Sequence, residues 1–503
     1  MLEVKLAGYN ADADILEKLK KSKWDGKNNI SPETISAAYA RISRDSRRVD
    51  ELRADSLEEV DKARKSNEAI VFKMGHHSVA EHAYLNFDIL GLSRLAVESL
   101  QEARLCSYTE KSQRYITLEG DYVTPQEFGV NEKKIFNDII AKQVVVYKQL
   151  FPILHEHRKN QYPEQLQTKS GQNLLEGWAK EDARYALALA TECQLGFSSN
   201  SRNLEHIIRK LKYYPLAEVR QLGEALYNAT KQIVPSLIIL SDPEAFKKQF
   251  GKEVSDGLIK TGASTAAKAV KAVKIPVDAT KQGKFDVMLV DWTKDPDMKI
   301  IAAMMQAYSG RSYEAAIRAA RKMSKTEIIK FYKTIFKDLG EHDSLYREFE
   351  DVNFVYEISL SSSAFAQLKR HRMMSISKQP YDIKLGYTMP PSIIETKQQD
   401  IFKKVIDETE VAYKKIAKTA PQAAEYILTN AHKRRVLVNA NLRELYHITR
   451  LRMDWHAQWD IQNISAQMAA VTKEVAPLSA ALACGKDKFQ AVKAAFFKAR
   501  KSK

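Results

Sequence analysis

Two arginines flank a histidine at Arg370-His371-Arg372, and Gln367 lies three residues earlier. A guanidinium group presents a planar fork of N–H donors, which suits phosphates and polarised carbonyl oxygens. By itself, a basic run of this kind is more typical of a solvated surface than of a binding site. Its interpretation therefore depends on the other polar clusters of the chain.

A second polar cluster is Glu110-Lys111-Ser112-Gln113-Arg114. In an extended segment, alternate side chains point the same way, so the acceptor, the hydroxyl and the guanidinium would share one face. A nucleoside monophosphate needs this mixture of groups. The segment is weak alone, but it indicates the same class of ligand as the arginine run.

The third polar cluster lies near the C-terminus, where Asn441, Arg443, His447 and Arg452 recur among apolar residues. The spacing of the apolar residues predicts a helix with one buried face. We expect that face to consist of Leu442, Leu445, Ile448 and Leu451. The rest of this stretch is dense in hydrogen-bonding groups.

These clusters belong to a block that occurs twice. The first copy contains Gly75-His76-His77-Ser78, and the second contains Gly340-Glu-His342-Asp-Ser344. A later pair is Asn200-Ser-Arg202 and Asn441-Leu-Arg443, with an offset of 241 residues, whereas His76 and His342 are 266 residues apart. The chain therefore contains a duplicated unit whose second copy has a shorter middle.

A length of 503 residues suits two domains of about 250 residues each. We predict a first domain at 1–250, a linker at 251–284 and a second domain at 285–503. Short strand patterns and long helical patterns together predict an α+β fold. Strands are expected near 1–8, 83–91 and 285–290, and long helices near 131–157, 175–190, 201–212 and 216–233.

The net charge of +16 is spread along the chain and indicates a lysine-rich solvated surface rather than a nucleic-acid interface. Three scattered cysteines argue against disulfides and thiolate zinc sites and fit a reducing cytoplasm. We expect a cytoplasmic protein without a membrane span, since no long apolar stretch or signal-peptide core is evident. A metal could bind His76, His77, Glu81 and His82, but their spacing is not His-Glu-x-x-His, and we expect none.

Together, these clusters resemble the motifs of the flavin-dependent thymidylate synthases. That family carries an Arg-His-Arg run, a Glu-x-Ser-x-Arg loop, an upstream Gly-His-x-Ser/Thr and a downstream Leu-Arg-x-Asp-x-His-Ala-Gln-Trp-Glu-Ile. Here the last motif reads Leu451-Arg-Met-Asp-Trp-His-Ala-Gln-Trp-Asp-Ile461. The resemblance covers nearly the whole chain as two tandem copies. It implies two domains, each a mostly antiparallel sheet flanked by long helices.

The resemblance implies reductive methylation of dUMP to dTMP, with carbon from methylenetetrahydrofolate and with NADPH reducing a bound FAD. Arg452 would be the catalytic residue that stabilises negative charge on the uracil ring. The implied nucleotide-binding residues are Gln367, Arg370, Glu110, Ser112, Gln113, Arg114 and Arg184. The implied FAD-binding residues are Ser43, His76, Ser78, Glu110, Arg370, His371, Arg372, Asn441, Arg443 and His447. The alternatives are alkylation of another pyrimidine nucleotide and a flavin- or nucleotide-binding homologue without methyl transfer.

Each copy departs from the family pattern where the other copy keeps it. In the first copy, Glu102-Ala103-Arg104 stands in place of Arg-His-Arg. In the second copy, Lys378, Pro380 and Asp382 stand in place of the Glu, Ser and Arg of the loop. The two copies therefore hold different parts of one family site.

The same division recurs at two further arginines. Leu211 lies near the position that Arg452 has in the second copy, and Glu425 lies where the first copy has Arg184. Decay without function would not be complementary, so we favour a working site over a scaffold. Since family sites combine residues of neighbouring subunits, we expect composite sites built from both repeats and a homodimer that mimics the family tetramer.

Overall fold

The computed structural model describes residues 1–26, 30–42, 45–114, 120–275 and 286–498. Ser43, one of the expected FAD contacts, lies outside the described residues. Most of the predicted elements and all the other expected site residues lie inside them.

The chain divides into two compact units, and each unit combines segments of both sequence repeats. Within the described residues, unit 1 comprises Met1–Lys142, Ala188–Val277 and Val411–Ile427, and unit 2 comprises Gln143–Leu187, Asp278–Glu410 and Leu428–Lys503. The predicted boundaries at 250 and 285 remain a prediction about the sequence repeat. The compact units follow a different division, because each takes one segment from the other repeat.

Each unit contains a four-stranded antiparallel sheet with the same strand order. The order is β1-β2-β4-β3 in unit 1 and β5-β6-β8-β7 in unit 2, and every neighbouring pair is antiparallel. This arrangement confirms the predicted α+β class. The strands are β1 (Glu3–Tyr9), β2 (Tyr84–Ser93), β3 (Ser107–Glu110), β4 (Glu192–Asn200), β5 (Val287–Trp292), β6 (Asn353–Ser361), β7 (Ser375–Tyr381) and β8 (Lys433–Asn441).

Helices account for most of the remaining described chain. The helices before β5 are α1 (Ala13–Lys20), α2 (Glu33–Arg41), α3 (Val49–Glu58), α4 (Val60–Glu68), α5 (Arg94–Leu100), α6 (Val130–Gln161), α7 (Lys169–Ala183), α8 (Ser201–Lys212), α9 (Ala217–Thr230), α10 (Pro243–Phe250) and α11 (Gly257–Lys271). The later helices are α12 (Pro296–Ser309), α13 (Tyr313–Lys322), α14 (Lys325–Phe336), α15 (Ser362–Leu368), α16 (Pro391–Glu395), α17 (Gln399–Ile416), α18 (Leu442–Arg452), α19 (Trp459–Val475) and α20 (Phe489–Lys498). None of the described helices is long and apolar enough to cross a membrane.

One predicted helix is displaced. The pattern at 175–190 forms α7, which ends at Ala183, and a 3-10 turn over Arg184–Ala186 follows. Leu187 is extended, a second turn closes with the Thr191 N–H donating to the Ala188 carbonyl oxygen, and the Ala190 N–H donates to the Tyr426 carbonyl oxygen over 2.9 Å. The helical periodicity continues through this segment, but long-range backbone hydrogen bonds determine its conformation.

The central strands place alternate residues in the two cores. In β6, Phe354, Tyr356 and Ile358 are fully buried and join the core of unit 2, as the period-two pattern requires. Of the four apolar residues predicted to be core in α18, three are buried in the same cluster. Leu451 is the exception, because it is 37% exposed at the last turn of the helix.

The helices that directly follow β2 and β4, and those that follow β6 and β8, begin with equivalent caps in the two repeats. The Ser93 hydroxyl accepts from the Ala96 N–H at the start of α5, and Ser361 does the same for α15. Asn200 and Asn441 cap α8 and α18 in the same way. A side chain that accepts from the first turn fixes where each helix begins. The helices that present the two sets of motifs are therefore equivalent elements.

Candidate functional site

The Arg-His-Arg run forms the turn between α15 and β7 in unit 2. Ser361 caps the helix, which ends at Leu368, and β7 begins at Ser375. His371 is buried, whereas Arg370 and Arg372 are exposed. The three residues that the sequence presents as one basic run therefore differ in environment.

His371 contacts the expected catalytic arginine. The Nε of Arg452 donates to Nε2 of His371 over 3.0 Å, and the rings of His371 and His447 meet edge to face at 5.5 Å. Burial, followed by the charges of Arg452 and His447, holds the pKa of His371 well below its usual range. The imidazole is therefore neutral and accepts a hydrogen bond from the guanidinium group.

The remaining expected residues of α18 also lie in unit 2. Asn441 caps its own helix, because its side-chain oxygen accepts from the Glu444 N–H over 2.8 Å. Arg443 forms an ion pair with Glu350 at 2.5 Å and donates to the Leu345 carbonyl oxygen over 3.0 Å. These contacts orient the start of the helix that carries Arg452 at its end.

Gln367 ends a chain of hydrogen bonds inside unit 2. Its Nε2 donates to the Gln458 side-chain oxygen over 3.1 Å, and the Gln458 amide donates to the Tyr185 hydroxyl over 2.5 Å. Tyr185 in turn donates to Asp460 over 2.8 Å, and the Ser361 hydroxyl also donates to this carboxylate. Burial raises the pKa of Tyr185 well above its usual range, so the hydroxyl stays protonated.

Arg184, a residue of the first repeat, lies beside the same helix of unit 2. It is buried, and its Nη2 donates to the Ser363 hydroxyl over 2.7 Å. Its carbonyl oxygen accepts from the Asn430 side chain over 3.0 Å. Ser363 and Gln367 are four residues apart in α15 and so share one face of the helix. Arg184 therefore lies along the face that carries Gln367.

The expected loop residues lie in unit 1. The side chain of Glu110 is buried, forms an ion pair with Arg94 and accepts from Gln101. Gln113 is buried, and the Ser112 hydroxyl accepts from the Arg114 backbone N–H over 3.1 Å. The loop therefore begins with an internal ion pair that the sequence does not predict.

His76 immediately precedes the 3-10 helix His77–His82 of unit 1, Ser78 lies within this helix, and both residues are exposed. The neighbouring histidines make aromatic contacts: His77 meets Phe72 at 5.8 Å, and His82 meets Tyr39 at 4.7 Å, both edge to face. Among the described residues, no group of three or more His, Cys, Asp or Glu side chains is placed to hold a metal ion.

In unit 1, oppositely charged residues pair near the turn equivalent to Arg-His-Arg. Lys210, in the last turn of α8, forms an ion pair with Glu102. Arg202 forms an ion pair with Glu81 at 2.5 Å, which parallels Arg443 with Glu350 in unit 2. The two units keep the same framework but carry different charges at this turn.

The structure therefore collects the expected residues into two groups. Unit 2 contains Arg184, Gln367, Arg370, His371, Arg372, Asn441, Arg443, His447 and Arg452, and unit 1 contains Glu110, Ser112, Gln113, Arg114, His76 and Ser78. Sequence reasoning missed the residues that orient these groups, namely Tyr185, Glu444, Gln458 and Asp460. Gln458 and Asp460 lie in the quoted C-terminal motif, which was the available signal.

The sequence profile of the family named thymidylate synthase complementing protein matches the chain twice, at residues 27–236 and 288–478. The chain belongs to this family. The two matches correspond to the two repeats, and together they cover the described strands except β1 and the first residue of β5.

The relatives are of two lengths. A UPF0159 protein of Chlamydia muridarum is 26% identical over 422 residues, which cover 82% of this chain and 78% of the relative. A UPF0159 protein of Thermoplasma acidophilum is 25% identical over 448 residues, 81% of this chain and 86% of the relative. A flavin-dependent thymidylate synthase of Clostridium tetani is 28% identical over 253 residues, which cover 49% of this chain but 92% of the relative. The chain is thus similar to double-length proteins along most of its length.

Proposed function

We propose that the protein is an FAD-dependent thymidylate synthase that converts dUMP to dTMP with methylenetetrahydrofolate and NADPH. The observation that carries the proposal is the pairing of Arg452 with neutral His371 in unit 2. The Clostridium tetani relative is named a flavin-dependent thymidylate synthase, which supports a flavin and a nucleotide here.

The donor set of unit 2 fits an anionic nucleotide and a flavin nucleotide. Arg184, Arg370, Arg372 and Arg452 lie on or beside α15 and α18, and arginine forks bind phosphate in a bidentate manner. The nearby carboxylate of Glu350 is engaged by Arg443. This part of the unit therefore presents several guanidinium donors, as a phosphate-bearing ligand requires.

In this reaction a bound FAD would supply the hydride. Arg452 stabilises the negative charge that develops on the uracil carbonyl oxygen, a role worth about 3 kcal/mol for one oriented donor. Gln367 on α15 and Arg184 beside it hold the nucleotide, and Arg114, Ser112 and Gln113 are proposed to complete the nucleotide contacts. Asn441, Arg443, His447 and Arg372, with His76, Ser78, Ser43 and Glu110, are the proposed flavin contacts.

Tritium release from 5-tritiated dUMP tests this proposal. We expect release that requires both methylenetetrahydrofolate and NADPH, from a purified protein with flavin absorbance. Absence of flavin and of release would refute the proposal. Flavin without release from dUMP would instead support a flavin-binding homologue or a flavoenzyme that alkylates another pyrimidine nucleotide. Alkylation of another pyrimidine nucleotide is the second candidate, because Lys378 and Pro380 replace loop residues in the second repeat.

A further inference from the structure

Glu444 is a buried acid that the proposed reaction does not use. It lies in the first turn of α18, three residues before His447. Its Oε1 is 3.7 Å from Nδ1 of His371, and both atoms are buried without a hydrogen-bond partner. The Met373 backbone N–H forms a hydrogen bond with the same carboxyl group. The acid therefore faces the Arg-His-Arg turn at two points.

The hydrogen bond from Arg452 restricts the protonation of His371. Since Nε2 accepts from the Arg452 Nε, the proton of the neutral ring must reside on Nδ1. Nδ1–H is a donor, and the Glu444 carboxyl faces it with Oε1 at 3.7 Å. A carboxylate at this position stabilises the Nδ1–H tautomer, and a small movement of either side chain would close the hydrogen bond.

The first repeat provides an internal comparison. At the equivalent position of α8 stands Asn203, whose side-chain amide donates to the Leu105 carbonyl oxygen. The turn is thus still attached to the helix, but Ala103 stands in place of the histidine and Asn203 in place of the acid. A residue needed only to fasten the turn would not have to be an acid. The acid occurs in the repeat that keeps the histidine.

We propose that Glu444 is a positioning residue that holds His371 in the Nδ1–H tautomer, so that Nε2 can accept the hydrogen bond that orients Arg452. The proposal rests on the proposed function only for its effect on turnover. The tautomer itself is a property of the chain and can be measured without substrate or flavin.

Protonation of Glu444 would reverse the arrangement. A protonated carboxyl would donate to Nδ1, which would move the ring proton to Nε2 and place two donors, Nε2–H and the Arg452 Nε–H, against each other. Burial, partly opposed by the Met373 N–H, raises the pKa of Glu444 to about 7. Arg452 and His447 also act on His371, and both disfavour a charged imidazole. We therefore expect the Nδ1–H tautomer above pH 7 and its loss below.

The test is ¹⁵N NMR of the full-length protein labelled at histidine, with the His371 signals assigned from a His371→Gln variant. Protonated and unprotonated imidazole nitrogens have well-separated shifts. In the wild type at pH 8, we expect an unprotonated Nε2 and a protonated Nδ1. A wild-type ring with its proton on Nε2 would overturn the proposal without any variant.

The variants sharpen the test. In Glu444→Gln, the side-chain amide oxygen must accept from the Met373 N–H, so the NH₂ group faces Nδ1 of His371. We therefore expect the ring proton of His371 to move to Nε2. We also expect kcat to fall roughly tenfold with little change in KM. Glu444→Asp should retain the tautomer. Asn203→Ala in the first repeat is the matched control and should change neither signal nor turnover. An unchanged His371 tautomer in Glu444→Gln would contradict the proposal. Absence of turnover in the wild type with the expected tautomer would refute only the proposed function.

Discussion

His371 limits how its neighbours can act. Because the His371 ring is neutral and accepts a hydrogen bond from Arg452, the positive charge of this contact is carried by the guanidinium group and not by the imidazole. The contact is made through Nε, at the inner edge of the guanidinium group, and so orients the whole fork. A donor oriented before the reaction stabilises developing charge without reorganisation at the moment of reaction.

We expect Arg452→Ala to reduce turnover about a hundredfold or more, because one oriented donor is worth about 3 kcal/mol to a charged transition state. Arg452→Lys should not restore it, since an ammonium group lacks the planar fork. The measurement is tritium release at saturating substrate, with flavin content checked. Lys210→Ala in the first repeat is the control and should remain active. Full activity of Arg452→Ala would remove this residue from the mechanism.

His432 predicts a pH dependence of stability. It is fully buried in unit 2, and burial lowers its pKa to about 4. The unfolded chain binds a proton near pH 6.5, whereas the folded state resists protonation until about pH 4. The contribution of the neutral ring is therefore complete above pH 6.5 and decreases as the pH falls towards 4, by up to about 3 kcal/mol.

The measurement for His432 is the urea midpoint of unfolding at several pH values between 7 and 5. We expect the midpoint to fall with pH in the wild type and less steeply in His432→Asn. His342→Gln, at a side chain that is 78% exposed, is the matched control and should follow the wild type. Equal slopes for His432→Asn and wild type would contradict the prediction.

At the scale of elements, the two repeats use the same helices for different chemistry. α5 and α15 begin with the same serine cap, and α8 and α18 with the same asparagine cap. The buried Ser93–Glu218 contact with Tyr426 in unit 1 parallels Ser361–Asp460 with Tyr185 in unit 2. Backbone geometry is thus retained, while the charges at the following turn differ.

We expect Arg184→Ala to weaken dUMP binding by roughly ten- to a hundredfold, because a charge-assisted contact contributes about 1.5–3 kcal/mol. Glu425→Ala, at the equivalent position of the second repeat, is the matched control and should bind normally. Calorimetric titration measures both, and thermal unfolding shows whether loss of the contact with Ser363 has destabilised the fold. Equal affinities of the two variants would show that Arg184 is not a nucleotide ligand.

At the scale of the whole molecule, each compact unit contains segments of both sequence repeats. Unit 2 includes Gln143–Leu187 from the first repeat, and unit 1 includes Val411–Ile427 from the second. A separately expressed second repeat would lack both Tyr185 and Arg184. Because unit 2 takes Arg184 and Tyr185 from the first repeat, the proposed site in unit 2 contains residues of both repeats.

We propose a homodimer with one complete flavin site per chain. Unit 2 keeps Arg-His-Arg and Arg452, whereas unit 1 has the Lys210–Glu102 ion pair at the equivalent turn. Flavin absorbance after denaturation should give about one FAD per chain, and light scattering should give the mass of two chains, as expected for a closed symmetric assembly. Two tightly bound FAD per chain would contradict this division.

Much of the fold could be predicted because it depends on local patterns. The predicted helix at 201–212 is α8, and the strand predicted at 83–91 is β2. The helix predicted at 175–190 ends early, because the segment after Ala186 is fixed by hydrogen bonds to distant residues such as Tyr426. Leu451 was expected in the core but is partly exposed. The spacing of apolar residues does not show which turn of a helix extends beyond the core.

By itself, the sequence determined the duplication, the mixture of short strands and long helices and the polar clusters, because these follow from residue types at short or regular spacing. The family and its antiparallel sheets were expected from the resemblance of the motifs. Only the tertiary structure decided which clusters share a compact unit. It placed Arg184 against Ser363, 179 residues away, and Glu444 beside His371. Such contacts depend on the path of the whole chain and on the burial it produces, and burial is what makes His371 neutral and gives Glu444 its proposed role.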